Sequence, residues 1–323
     1  MEIRRPRDQR GTDLLGRYDP DKPRNKYVNV DRYGFVVTEN PHKPSCREKK
    51  TIFLFGGSTM VNNGVIRDWD TIPSQLSQRL NDAFPDTCFE LYYFGQSGYA
   101  VHNALVLLNE LLSRGKIPDM VILYDGVNDR LYRVVDGIPH MDYTAYRDTF
   151  KYYDAAYPNV LRLATGLRKN LALCRLFLGP PEPPYHLSDD PKVVGERADA
   201  VLANYFGVAE HICKMGEAYG FKTLAFFQPT LFTTGKKMTG EERELLVRTD
   251  QHIPQVGAGF RRGYDAYRRM LPAHADVARD LTGAFYATDA SVFVDFAHLA
   301  LRGNARVADA MFPAVRDAFA AHP

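Results

Sequence analysis

Short apolar runs alternate with longer amphipathic segments along this chain. The apolar runs have the length of buried strands, and the amphipathic segments repeat their apolar residues with the period of a helix. Strands are predicted at Thr51–Phe55, Phe89–Phe94, Met120–Tyr124 and Lys222–Phe227. Helices are predicted at Trp69–Phe84, Val101–Leu112, Val193–Tyr219 and, after a short closing segment at Ser291–Val294, near Gly303–Ala321. Alternating strands and helices predict a mainly parallel sheet covered on both faces.

Three segments fall outside this alternation. Residues 1–50 are rich in Pro, Arg, Asp and Asn and are expected to form an N-terminal arm that packs on the domain. Two excursions, at about 130–192 and 230–275, interrupt the later part of the chain. The first has a helical, aromatic pattern that must break at the proline-rich run 179–184. We therefore predict one α/β domain over 51–323, with helical insertions at the two excursions.

The composition is that of an ordinary soluble globular protein. Of the 323 residues, 45% are hydrophobic and 25% are charged, which is enough to build a large core. The net charge of +2 is too small to attract nucleic acid or an anionic membrane through the overall field. The basic excess in residues 1–50 lacks interleaved aromatics, so no nucleic-acid partner is expected. No heptad seam is visible, and no oligomeric state is assigned.

The cysteines and the N-terminal residues indicate the cellular compartment in which the protein is expected. Cys46, Cys88, Cys174 and Cys213 are widely spaced and form no CxxC pair, which indicates neither a zinc site nor a dense disulfide framework. We therefore expect reduced thiols. The first residues contain no apolar core of a secretory signal, and no apolar run approaches the roughly 18 residues of a membrane helix. A cytoplasmic protein without a membrane span is the resulting expectation.

Candidate chemistry begins where the first predicted strand ends, at Gly56-Gly57-Ser58-Thr59. Ligands of open parallel sheets bind beyond the carboxyl ends of the strands, so Ser58 is a candidate nucleophile. A phosphate loop or a helix-capping serine would look similar, although the lysine of a P-loop is missing. Near the other end of the chain, Asp295 precedes His298 by three residues, and such a pair can serve a serine as an oriented general base. An isolated DxxH also fits a surface Asp and a structural His.

Two further polar blocks follow the second and third predicted strands, at 95–99 and 126–129. The backbone amide of Gly98 and the side-chain amide of Asn128 can join the amide of Ser58 as donors to a developing oxyanion. Turn formation is the alternative explanation, because Gly and Asn favour turns. Weaker candidates for substrate contact, each also explained as a surface or structural group, are His102, Asn103, Asp129, Arg130 and His140.

The four blocks GGST, QSGY, GVND and DFAH, in this order, resemble the SGNH or GDSL-type hydrolases, from about Asn29 through the final helix. The resemblance implies a flavodoxin-like three-layer α/β/α sandwich. It implies Ser58 as nucleophile, His298 as base, Asp295 as its orienting partner, and an oxyanion hole of Ser58, Gly98 and Asn128. The chain departs from the family pattern where Gly57 replaces the Asp of the name motif. The missing GxSxG elbow separates it from the larger α/β-hydrolase class.

The implied activity is hydrolysis of a carboxylic ester through an acyl-enzyme, with no metal or organic cofactor. The implied substrate is a small-molecule or glycan ester with a short acyl group such as acetyl. An acyltransferase that acylates a sugar or natural-product hydroxyl would share the acyl-enzyme, so the motifs leave it open. A non-catalytic carbohydrate-binding protein that kept the fold is a second alternative. A nucleotide-binding protein is a third, weakened by the missing GxGxxG and GK[ST] patterns.

Overall fold

A computed structural model describes residues 29, 31, 35–61, 67–96, 98–131, 134, 188, 190–253 and 255–320. The predicted helical excursion at 142–178 and the proline-rich run at 179–184 lie outside the described residues. Ser97, His140 and Cys174 also lie outside them.

The centre of the molecule is a parallel sheet of five strands in the order β2-β1-β3-β4-β5. The strands are β1 (Glu48–Gly56), β2 (Thr87–Gly95), β3 (Met120–Asp125), β4 (Lys222–Phe227) and β5 (Ala278–Asp280). The first four were predicted, and β1 begins three residues earlier than expected. Strand β5 was not predicted, because a three-residue strand that contains Arg279 and Asp280 gives no apolar run. The strand order is that of flavodoxin-like folds.

Eight α-helices lie in the described part of the chain, and three short 3₁₀ turns at 68–70, 271–274 and 282–285 accompany them. The helices are α1 (Ser58–Val61), α2 (Ile72–Ala83), α3 (Val101–Ser113), α4 (Val127–Arg130), α5 (Pro191–Tyr219), α6 (Gly240–His252), α7 (Val256–Met270) and α8 (Leu301–Ala320). The helix predicted from Trp69 begins at Ile72 instead, because Thr71 caps α2 by accepting the amide of Ser74. The predicted closing segment at 291–294 is a loop with one antiparallel bridge, between Phe293 and Leu299.

Successive side chains of the central strands point to opposite faces of the sheet, and both sets are buried. Phe53 and Phe55 of β1 are buried in a cluster with residues of α3, α5 and α7. Ile52 and Leu54 of the same strand are buried in a second cluster with α2 and α8. Because each face of the sheet is covered by helices, the predicted three-layer α/β/α sandwich with a parallel sheet is confirmed.

The segment before β1 runs along the edge strand β2. The Asn40 side chain accepts a hydrogen bond from the Leu91 amide (2.9 Å) and donates to the Leu91 carbonyl (3.1 Å), as a neighbouring strand residue would. Farther along, Lys43 Nζ donates to the carbonyls of Phe84 and Thr87. The bonds to Leu91 and Thr87 occupy backbone groups of the edge strand β2, which leaves fewer of them free to pair with another chain.

The expectation of four reduced cysteines was wrong for one pair. Cys46 and Cys88 form a disulfide, with their Cα atoms 5.6 Å apart. They are 42 positions apart in sequence, and they meet because β1 and β2 are neighbouring strands that start side by side. Spacing along the sequence does not reveal that adjacency. Cys213 is a free, half-buried cysteine.

No helix among the described residues is long and apolar enough to cross a membrane.

Candidate active site

Ser58 opens α1 at the carboxyl edge of the sheet, separated from the buried end of β1 by Gly57 alone. The turn that presents it depends on Gly57. A Cβ at this position would lie 2.5 Å from Asn128 Nδ2 and 2.9 Å from the Tyr99 carbonyl oxygen. Only glycine therefore allows the three segments that carry Ser58, Tyr99 and Asn128 to approach one another this closely.

The side chains of Ser58, His298 and Asp295 form a continuous hydrogen-bonded chain. His298 Nε2 lies 2.8 Å from Ser58 Oγ, and His298 Nδ1 lies 2.7 Å from Asp295 Oδ2. A carboxylate only accepts hydrogen bonds, so Nδ1 carries the proton of the neutral ring. The lone pair of Nε2 is then left to accept the Ser58 hydroxyl proton. Residues 240 positions apart in sequence thus adopt the geometry of a nucleophile and its base.

Asp295 is held as a carboxylate. Partial burial acts to raise its pKa, but hydrogen bonding and charge attraction from His298 lower it. The backbone amides of Ala297 and His298 also donate to Oδ1, at 2.8 and 2.7 Å. The net result is a pKa below the usual range, so the group remains ionised beside the imidazole.

The loop that carries Asp295 and His298 is fixed by backbone bonds on both sides. The Val294 amide donates to the His298 carbonyl (2.9 Å), which closes the loop on itself. The Leu231 amide donates to the Phe296 carbonyl (2.9 Å), which ties the loop to the segment after β4. The Phe296 ring also packs against two other aromatic rings, those of Phe232 and Phe260. A catalytic base needs this kind of fixed support to keep its orientation.

Asn128 and Gly98, the predicted oxyanion donors, lie on turns after β3 and β2. Gly126 has a φ of +115°, a left-handed value that starts the short helix α4 and brings Asn128 to the sheet edge. Asn128 Nδ2 donates to the Tyr99 carbonyl at 2.7 Å, which uses one of its two amide hydrogens. Gly98 has a φ of +83°, again a conformation that favours glycine. The side-chain amide of Asn128 thus lies against Gly57, one residue before Ser58.

Three of the weaker candidates are buried groups bonded within the protein. Asn103 Oδ1 accepts the Ala100 amide and caps α3. Asp129 accepts the amides of Val101 and Gly126, at 3.2 and 3.1 Å. Their contacts are structural.

Arg130, the third, is fully buried. Its guanidinium lies 4.6 Å from the ring centres of both Phe227 and Phe260, and its Nε donates to the Gly126 carbonyl. Burial lowers its pKa to about 9. Of the remaining two, His102 Nδ1 lies 3.3 Å from Asn204 Nδ2, and His140 is outside the described residues.

Gln228, at the carboxyl end of β4, was not among the predicted site residues. Its side-chain amide contacts the turns that carry Ser58 and Asn128. A signal for it was present in the sequence, because a polar residue directly after a predicted buried strand lies at the same sheet edge as the four blocks. Among the described residues, no group of three His, Cys, Asp or Glu side chains is arranged to hold a metal ion.

Fold and site together define an open parallel α/β/α sandwich with a Ser-His-Asp arrangement at its carboxyl edge. No protein-family model and no curated protein sequence matches the chain. Solved structures that match it bear the names of carboxylic ester hydrolases.

One is the acetyl xylan esterase AlAXEase, with 16% identity, a TM-score of 0.43, and coverage of 82% of this chain and 99% of that chain. Another is Axe2, an acetylxylan esterase from Geobacillus stearothermophilus, with 13% identity, a TM-score of 0.42, and coverage of 84% and 95%. A third is a carbohydrate acetylesterase family member from Sinorhizobium meliloti, with 16% identity, a TM-score of 0.40, and coverage of 83% and 97%. At such identities and TM-scores, the case for function rests on the site geometry alone.

Proposed function

We propose that this protein is a serine-dependent carboxylic ester hydrolase with Ser58 as nucleophile, His298 as general base and Asp295 as the orienting carboxylate. One observation carries the proposal: the hydrogen-bonded chain from Ser58 Oγ through His298 to Asp295, with links of 2.8 and 2.7 Å. A non-catalytic protein that kept only the fold would not need Ser58 Oγ directed at an imidazole that a carboxylate orients.

In the first half of the reaction, Ser58 Oγ attacks the ester carbonyl while His298 Nε2 takes its proton. The imidazolium that forms is stabilised by the ionised Asp295, whose lowered pKa keeps it charged. The tetrahedral intermediate then collapses, and His298 returns the proton to the departing alcohol. An ester between Ser58 and the acyl group remains.

In the second half, a water molecule replaces the alcohol. His298 takes a proton from this water as it attacks the acyl carbonyl, and the second intermediate collapses to release the acid. The proton on His298 returns to Ser58 Oγ, which restores the free enzyme.

The negative charge on the substrate oxygen needs fixed donors in both halves. We assign this role to the backbone amides of Ser58 and Gly98 and to the side chain of Asn128. One Asn128 hydrogen is bound to Tyr99, which fixes the amide plane and leaves the second hydrogen for the oxyanion. Loss of one such donor typically raises the barrier by about 2.7–4 kcal/mol.

As substrates we propose short-acyl esters, such as acetyl esters, of a glycan or a small molecule. This is the class that the four sequence blocks imply. The cytoplasmic location expected from the sequence stays a prediction, and the Cys46–Cys88 disulfide opposes it, because such bonds persist mainly in oxidising compartments.

The test compares the wild type with Ser58→Ala and a matched control, Ser113→Ala, whose hydroxyl is bound at the exposed end of α3. Each folded protein is assayed with p-nitrophenyl acetate, butyrate and octanoate. A fluorophosphonate, which phosphonylates an activated serine, is added separately and its site is mapped by mass spectrometry. We expect Ser58→Ala to lose hydrolysis and labelling, while Ser113→Ala keeps both.

Hydrolysis that persists in folded Ser58→Ala would overturn the proposal. Wild-type protein that neither hydrolyses any of the esters nor takes the label at Ser58 would also overturn it. Product analysis with an added sugar separates hydrolysis from acyl transfer, because a transferase forms the acylated sugar rather than the free acid.

A further inference from the structure

Gln228 lies at a junction between the segments that carry the nucleophile and the oxyanion donor. Strand β3 lies between β1 and β4 in the sheet, and the Gln228 side chain, at the end of β4, reaches across the carboxyl end of β3. Its Nε2 donates to the Tyr124 carbonyl (2.6 Å) and, beyond it, to Thr59 Oγ1 (2.6 Å). Thr59 directly follows Ser58.

The other end of the same amide holds the second turn. Gln228 Oε1 accepts the backbone amide of Val127 at 3.1 Å. Val127 opens α4, so its amide has no partner within that helix and needs one from outside. The residue after it is Asn128. One planar side chain therefore joins the residue that follows the nucleophile to the residue that precedes the oxyanion donor.

Burial makes this junction rigid. Gln228 is 2% exposed and Thr59 is 3% exposed, so water is not available to replace the bonds. Both Nε2 hydrogens are used, and the amide plane fixes the directions of the three bonds. The main chain of Gln228 adds a further link, because its amide donates to the Asp125 carbonyl at 3.1 Å.

We propose that Gln228 is a positioning residue that sets the separation between Ser58 and Asn128, and so the alignment of the oxyanion donors in the hydrolysis proposed above. The inference rests on that proposed function. The hydrogen bonds of the Gln228 side chain go to Thr59, Tyr124 and Val127, so it acts on Ser58 and Asn128 through their neighbours Thr59 and Val127. A displacement of about 1 Å between a nucleophile and its donors can lower a rate by about 10²-fold.

Asn81 provides a matched control for the loss of a buried amide. It is 3% exposed, and its side chain donates to the Ser77 and Phe89 carbonyls and accepts the Phe89 amide, each at 3.0 Å. These bonds tie α2 to β2 near the start of that strand, away from the carboxyl edge where Ser58 lies. Asn81→Leu therefore removes a set of buried bonds comparable to the set that Gln228→Met removes.

The experiment measures kcat and KM for p-nitrophenyl acetate, the affinity for a boronic acid that forms a tetrahedral adduct on the serine, and Tm. We expect both variants to have a lowered Tm. Gln228→Met is expected to lose about 10–100-fold in kcat with little change in KM, and to bind the boronic acid more weakly by a similar factor. Asn81→Leu should keep kcat and boronic-acid affinity within about threefold of the wild type.

Thr59→Val carries the test if Gln228→Met does not fold, because it removes one hydroxyl and preserves shape. Thr59→Val should also lower kcat. Where Gln228→Met folds, the double variant Gln228→Met/Thr59→Val should be no slower than Gln228→Met alone, since the bond between the two side chains is already lost. Equal kcat values for folded Gln228→Met and Asn81→Leu, or an unchanged kcat in Thr59→Val, would overturn the role of Gln228 alone. Wild-type protein without hydrolysis or labelling of Ser58 would overturn this role together with the proposed function.

Discussion

At the scale of single residues, the proposed reaction depends on the charge of Asp295. Its carboxylate holds Nδ1 of His298 at 2.7 Å, and two backbone amides hold the other carboxylate oxygen. Replacement by asparagine keeps the size but removes the charge that stabilises the imidazolium. An asparagine amide can also donate to Nδ1, which would favour the wrong tautomer of the ring.

We therefore expect Asp295→Asn to lower kcat for p-nitrophenyl acetate by up to about 10⁴-fold, the size of the effect in serine proteases. Tm should change little, because the Asp295 side chain is 44% exposed. Asp289→Asn, at an exposed position in the same region, serves as the control and should leave kcat unchanged. A variant at position 295 that keeps a tenth or more of the wild-type kcat would contradict the assigned role.

Asp125, at the end of β3, is a buried carboxyl group. It is 2% exposed, and its Oδ2 has no hydrogen-bond partner in the described part of the chain. Burial raises the pKa of this carboxyl well above its ordinary value, and the nearby Asp129 adds to the effect. The folded protein therefore keeps a proton on Asp125 at pH values where the unfolded chain has lost it.

Because the pKa of Asp125 is higher in the folded protein than in the unfolded chain, its protonation stabilises the fold. This stabilisation is fully present below the ordinary pKa near 3.8 and is lost as the pH rises toward the pKa of the folded state. Asp125→Asn mimics the neutral form at every pH. The Tm of the variant minus that of the wild type should therefore increase from about pH 4 to pH 8. Thermal melts across this range measure the difference. A difference independent of pH would show that Asp125 is ionised in the folded protein.

At the scale of elements, a buried ion pair joins the segment after β4 to α6, and its carboxylate also bonds to the loop that carries Asp295 and His298. The side chains of Lys236 and Glu242 are both fully buried and bonded to each other. Glu242 also accepts the Thr239 amide, which caps α6, and the Val292 amide at 3.0 Å. Val292 lies just before Asp295. The segment after β4, helix α6 and the loop that carries Asp295 and His298 thus share one carboxylate.

Lys236→Met would leave Glu242 buried without its countercharge, so we expect the free energy of unfolding to fall by about 3–5 kcal/mol. Arg248→Met is the control, because Arg248 and Glu244 form an ion pair on the same helix with both side chains more than 70% exposed. The control should cost no more than about 1 kcal/mol. Urea denaturation measures both values, and equal losses would contradict a special cost at the buried pair.

At the scale of the whole molecule, the Cys46–Cys88 disulfide closes a loop that contains β1, the turn at Ser58 and α2. It also fixes the segment before β1 against the edge strand β2, beside the bonds of Asn40 and Lys43. With the two cysteines 42 positions apart, the chain-entropy relation gives a stabilisation of about 4 kcal/mol.

The double variant Cys46→Ala/Cys88→Ala should therefore unfold at a lower urea concentration than the wild type, and a reducing agent should destabilise the wild type but not the variant. Cys213→Ala is the control and should retain the response to reductant. Peptide mapping without reduction should recover residues 46 and 88 in one linked pair of peptides. Alkylation of both thiols in native, unreduced protein would contradict the pairing.

Much of the fold and of the candidate site was predictable because the signals are local. The apolar runs of β1 to β4 and the helical period of α3 and α5 are properties of consecutive residues. The rule that parallel strands present their carboxyl ends at one edge predicts that Ser58, Gly98 and Asn128 lie together. The family resemblance adds His298 and Asp295 to this group. The geometry of Ser58, His298 and Asp295 agrees with that placement.

The tertiary structure decided what depends on strand order and packing. The Cys46–Cys88 bond exists because β1 and β2 are neighbours, and the Gln228 junction because β3 lies between β1 and β4. The bond between the Val292 amide and Glu242 likewise joins residues 50 positions apart that only packing brings together. The sequence by itself determined strands β1 to β4, the long helices α2, α3, α5 and α8, and the four chemical blocks, since periodicity and turn chemistry act over a few residues. Hydrogen bonds and disulfides between residues far apart in sequence depend on which segments lie side by side, and only the folded structure determines that.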